Sequence, residues 1–132
     1  MLSHGLQPDI LVCRSENELS KDAREKIALF TNVEKKSVIS MPDMDLIYKI
    51  PIQLNKQTVD DIVVEKLKLS CKKPDLKDWN RVIEALTNPK SEVTVAMVGK
   101  YMDLLDAYLS LTEALVHAGT VSYTHLTLPT KA

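Results

Sequence analysis

The chain has 132 residues, 45% of them hydrophobic and 27% charged, with a formal net charge of -1. That length holds one small domain or parts of two, and that balance suits a folded globular protein rather than a disordered one. The near-neutral charge and the few aromatics (one Phe, one Trp, four Tyr) argue against a nucleic-acid groove, an acidic-membrane surface or a base-stacking platform. Cys13 and Cys71 are the only cysteines. They are too few and too scattered for a disulfide framework or a metal site, which leaves a reducing cytoplasm as the default setting. No apolar run approaches the roughly 20 residues of a membrane span, and residues 1–5 lack a charged-then-apolar leader pattern.

Residues 10–13 are a short, wholly apolar run after Pro8-Asp9. The run predicts a buried strand of a parallel sheet, with Cys13 as a small buried hydrophobe. Ser20 is placed to cap a helix over 20–30, whose core face would be Ala23, Ile27 and Phe30. Residues 38–41 predict a second strand, broken by Pro42 and Asp43. A helical turn over 45–49 should stop before Pro51. Strand, helix and strand in this order make a βαβ unit.

Residues 59–69 predict an amphipathic helix. Asp75 should cap another, with Leu76, Trp79, Ile83 and Leu86 on one face and Asn88-Pro89 at its end. Residues 93–98 predict a new strand, terminated by Gly99-Lys100-Tyr101. Asp103 or Asp106 would open a helix with Leu104, Tyr108, Leu111 and Leu115 on one face, closed at His117-Ala118-Gly119. Residues 121–130 read Val-Ser-Tyr-Thr-His-Leu-Thr-Leu-Pro-Thr, with no periodicity and no helix-then-strand rhythm. The string is similar to one translated frame of a transposase-end adapter used in library preparation. Residues 120–132 are therefore expected to be non-native and are set aside, His125 included. The competing reading is a genuine C-terminal strand.

Six pieces carry a family likeness: Gln7-Pro8-Asp9-Ile10-Leu11, Cys13-Arg14-Ser15, Lys26-Ile27-Ala28-Leu29-Phe30, Ile47-Tyr48-Lys49-Ile50-Pro51, Val98-Gly99-Lys100-Tyr101 and Asp106-Ala107-Tyr108. In this order and spacing they resemble CTP synthase, from about Gly5 to Gly119. The resemblance implies an α/β fold. Residues 1–87 would be the C-terminal part of a P-loop, dethiobiotin synthetase-like amidoligase domain. Residues 88–92 would be a linker, and 93–119 the first strand and helix of a class-I glutamine amidotransferase domain. The family makes CTP from UTP, ATP and glutamine or ammonia in pyrimidine biosynthesis, using Mg2+. CTP is its feedback inhibitor, GTP a further partner, and its assembly a homotetramer.

The resemblance also assigns residues. Lys26 matches a lysine that contacts UTP or CTP, as an ammonium on a helix can pair with a triphosphate. Pro42, Asp43 and Met44 match a loop that contacts the adenine of ATP, through backbone groups facing a base edge. Pro42 stands where many members carry Lys, and it removes one backbone donor. Arg14 matches an arginine near the ATP site; a surface ion pair with Glu16 or Glu18 is the competing reading. Leu105 and Leu109 depart from common choices at their positions, which puts a regulatory contact from Leu109 in doubt. Gly99-Lys100 lacks the spacing of a phosphate loop. The family's phosphate loop and magnesium carboxylates lie upstream, and its glutaminase Cys, His and Glu downstream. No catalytic residue and no metal ligand is therefore assigned here, and the isolated chain is expected to be inactive. Two other readings compete: a non-enzymatic interaction or regulatory module from a truncated gene, and an unrelated small α/β binding domain.

Overall fold

The computed structural model describes residues 2–100 and 105–127, and the chain packs as two units that divide between Pro74 and Asp75. Both units are mixed α/β. This break by packing at Pro74 lies ahead of the linker expected at 88–92.

In the first unit, strand β1 (Leu11–Ser15) pairs with β2 (Val38–Pro42) in parallel, from Leu11 opposite Val38 to Ser15 opposite Pro42. Parallel neighbours need a crossover, and helix α1 (Lys21–Thr31) supplies it, completing the expected βαβ unit. Ser20 caps α1 as its sequence suggests, its Oγ accepting the Ala23 N–H at 3.2 Å. Asn32 closes the helix in the left-handed region, at φ 52°, a conformation Asn tolerates. The N-terminal stretch is pinned across this end: the Gln7 amide donates to the carbonyls of Thr31 at 3.0 Å and Asn32 at 3.1 Å.

Ala28, Val33 and Val38 form the buried centre, with Leu11, Cys13, Leu19 and Ile27 packed around it. Phe30 is not there; it is 80% exposed. At 100° per residue the position stacked on Ile27 is Thr31, four residues on, and Phe30 points off the stripe. Strand β1 also departs from expectation. Leu11, Cys13 and Ser15 are half-buried, while Val12 and Arg14 are exposed. One face of β1 is covered, so the strand alternates although its first three residues are all apolar. The wholly buried strand is β2, whose Val38, Ile39, Ser40 and Met41 are all enclosed.

A 3-10 turn (Ile47–Lys49) leads directly into α2 (Ile50–Lys56). The predicted stop before Pro51 is corrected. Pro51 lies in the first turn of α2, where a missing N–H leaves nothing unsatisfied. Helix α3 (Val59–Leu67) follows and ends two residues earlier than expected, at Lys68 with φ 53°. Lys66 reaches Asp9 at 3.3 Å and Lys36 reaches Glu65 at 3.1 Å, tying α3 to the approaches of both strands.

In the second unit, Leu76 rather than the expected Asp75 stands at the N-cap of α4 (Lys77–Thr87), which ends at Asn88; Asp75, one residue earlier, accepts the Lys77 N–H at 3.0 Å. Ala85 is its buried residue, and Trp79 lies towards the surface rather than in the core face. Strand β3 (Ser91–Thr94) lies earlier than the predicted 93–98, and Val98 is 97% exposed. A 3-10 turn (Leu105–Tyr108) opens α5 (Leu109–Val121). Tyr101, Asp103 and Leu104, named in the predicted turn and helix, lie outside the described residues. The helix runs past His117 and Ala118 with Gly119 buried inside it, so the predicted closure at Gly119 does not form.

The tail does not break the rhythm. Strand β4 (Thr124–Thr127) follows α5 and pairs with β3 in parallel, from Ser91 opposite Thr124 to Thr94 opposite Thr127. Its threonines suit a strand. The Lys90 N–H donates to the Tyr123 carbonyl at 2.7 Å, and the Lys90 ammonium lies 4.7 Å from the centre of the Tyr123 ring. This pairing is a property of the backbone and does not bear on the likeness of these residues to an adapter, which concerns their origin.

Candidate functional site

Because β1 and β2 run the same way, their carboxyl ends meet at one edge of the sheet, the position where open α/β sheets hold ligands. A pocket of about 220 Å³ opens there, lined by Arg14, Met41, Pro42, Asp43, Met44, Ile47 and Ile50. Its walls are apolar, with one cation and one carboxylate. Complete small-molecule sites run from roughly 300 to 1,000 Å³, so this one suits a flat ring rather than a whole nucleotide.

Two elements build it. The end of β2 supplies Met41 and Pro42 and leads into Asp43 and Met44. The 3-10 turn and the start of α2 supply Ile47 and Ile50. An i,i+4 pair holds the turn, with Lys49 Nζ 2.7 Å from an Asp45 carboxylate oxygen. The hydrogen bond from Lys49 holds the Asp45 carboxyl below its ordinary value of 3.8. A depressed carboxylate adds stability above its unfolded value and loses it as pH falls through the folded one, so the small contribution of this solvent-exposed pair is lost in acid. Arg14 Nε donates to Asp43 Oδ1 at 2.9 Å, in place of the pairing with Glu16 or Glu18 considered above. Arg14 is 83% exposed and Asp43 52% exposed at the side chain, so the pair lies open to solvent and an anion can compete for the guanidinium.

The strand ladder decides which backbone groups face the pocket. The Asp43 N–H donates to the Ser15 carbonyl at 2.9 Å. By the alternation of a parallel ladder, Ile39 and Met41 also face β1, while Ser40 and Pro42 face away. Proline at position 42 therefore removes no ladder bond. It also follows that neither Pro42 nor Asp43 has an N–H to offer a ligand. Met44 is the first residue past β2 whose N–H the ladder leaves unused.

Of the residues singled out in sequence, Arg14, Pro42, Asp43 and Met44 come together in this one pocket. Lys26 does not: it lies on the exposed side of α1 and is not part of the lining. Sequence reasoning missed Met41, Ile47 and Ile50 as walls, because apolar residues at a strand end and at helix starts read as core. It also missed Gln57, whose carboxamide binds the outer edge of β2. A glutamine in a polar stretch carries no signal of that role. Among the described residues, no three His, Cys, Asp or Glu side chains gather as a metal site, and no helix is long and apolar enough to cross a membrane.

Over residues 1–69 the sequence matches the family described as CTP synthase N-terminus. The chain belongs to that family. The matched span includes β1, β2, the whole pocket and Lys26. It sets aside the reading of an unrelated α/β domain. The second unit lies outside the CTP synthase match, which ends at Leu69.

Proposed function

We propose that this chain supplies the adenine-facing wall of a CTP synthase amidoligase site, and that it makes no CTP alone. The observation that supports this is the convergence of Arg14, Pro42, Asp43 and Met44 on one base-sized pocket at the carboxyl ends of two parallel strands. The Met44 N–H and the carbonyls of the loop face a base edge, the methionine and isoleucine side chains take its faces, and Arg14 takes negative charge from the ribose-phosphate side. Lys26 belongs to a different contact, to the pyrimidine nucleotide, made away from this pocket. Within this reading the chain spans the end of the synthetase domain, and residues 93–119 begin the glutaminase domain. The Mg2+ and phosphate ligands then come from the rest of the enzyme, as does the assembly into a tetramer, and the setting is the cytoplasm. The adapter-like origin of 120–132 belongs to the same proposal.

The test is a CTP-formation assay on the purified 132-residue chain with ATP, UTP, Mg2+ and either ammonia or glutamine. No turnover is expected, and ATP binding by calorimetry should be weak, in the millimolar range. CTP formation would contradict the proposal, and so would sub-micromolar ATP binding.

A further inference from the structure

Gln57 makes contacts that neither the sequence nor the proposed chemistry accounts for. It ends α2, and the next residue, Thr58, is held at φ 57°, a conformation a β-branched residue adopts only under constraint. The reversal sends the Gln57 side chain back to β2. There its Oε1 accepts the Ser40 N–H at 3.0 Å, and its Nε2 donates to the Ser40 carbonyl at 2.8 Å. Ser40 faces away from β1 and is 2% exposed, so these two bonds replace those of a neighbouring strand. The remaining capacity of the carboxamide is also used. Nε2 donates to the Gln53 carbonyl within α2 at 3.3 Å, and Oε1 accepts from Arg24 Nη2 on α1 at 3.3 Å. Two donors and two acceptor sites are all that a carboxamide has.

We infer that Gln57 is a positioning residue for the pocket, setting the separation of its two walls. One wall is the end of β2, immediately after Ser40; the other begins with Ile50, at the far end of the helix that Gln57 closes. One side chain thus fixes strand to helix, and through Arg24 fixes both to α1. The wall geometry stands on the structure alone; its consequence for nucleotide affinity rests on the function proposed above.

The experiment uses the full chain with 13C-methyl methionine and 15N labels, first without ligand. In Gln57→Leu, the Ser40 amide should exchange about tenfold faster, and the Met41 and Met44 methyl signals should move. In Gln57→Glu, which keeps the acceptor for Ser40 N–H and Arg24 but sets an oxygen against two carbonyls, Ser40 should stay protected while both methyl signals move part-way. Ile62→Val, a matched loss of packing in α3, should move neither methyl. Unmoved methyl signals or an unchanged Ser40 amide in folded Gln57→Leu overturn the inference. Should that variant not fold, loss of Ser40 protection in Gln57→Glu overturns it. ATP is then added as the probe. An unresponsive wild type sinks the nucleotide reading and leaves the Gln57 result standing, whereas variant methyls that respond to ATP as fully as the wild type's sink only the role of Gln57 in affinity.

Discussion

Ser40 shows how much one small side chain can organise. Its N–H and carbonyl hold Gln57, and its Oγ accepts the Leu19 N–H at 2.9 Å. Ser40→Ala keeps the strand but leaves the Leu19 amide without its acceptor in a part-buried setting. The expected cost is about 1–3 kcal/mol, read as a lower denaturation midpoint with an unchanged m-value. An unaltered midpoint would show that water replaces the hydroxyl. At this scale the sequence was readable where chemistry is local: Ser20 as a cap needs only its neighbours, although the same reasoning placed the cap of α4 at Asp75, one residue before Leu76. Phe30 was misread because its place depends on the rotation of α1 against the sheet. A shift of one residue turns it from core to solvent, where it is 80% exposed.

At the scale of elements, the βαβ order of β1, α1 and β2 was legible, since apolar runs and capping residues mark each piece. The burial of β1 was not. A run of apolar residues cannot say whether one face or two are covered, and here Val12 is 55% exposed. The ladder makes a prediction about the same strand. Cys13 and Ser15 direct their N–H groups at β2, as the bond from Asp43 N–H to Ser15 carbonyl requires, while Val12 and Arg14 direct theirs outward. Hydrogen exchange should therefore find the Val12 and Arg14 amides at least about tenfold less protected than those of Cys13 and Ser15. Equal protection across the four would mean that the outer edge of β1 is covered. Pro51 was misplaced for a related reason: proline stops a helix from inside but starts one from its first turn, and only the position of the preceding 3-10 turn tells which.

For the whole molecule, the family and the clustering of Arg14, Pro42, Asp43 and Met44 could both be read from the sequence, because these residues lie on short segments next to strand ends. The rest of the pocket could not. Ile47 and Ile50 come from a 3-10 turn and a helix whose docking on β2, held by Gln57, is a tertiary fact, and Lys26 is not part of the lining. The ladder leaves the Asp43 N–H bonded to the Ser15 carbonyl and the Met44 N–H outside the strand pairing. The most direct test of the account is a 1H–15N titration of the full chain with ATP. The account predicts fast-exchange shifts that grow through the millimolar range and are largest at the Met44 amide and the Arg14 Nε–H. Shifts absent at saturating ATP, or centred on α4 and α5 with Met44 and Arg14 unmoved, would contradict it.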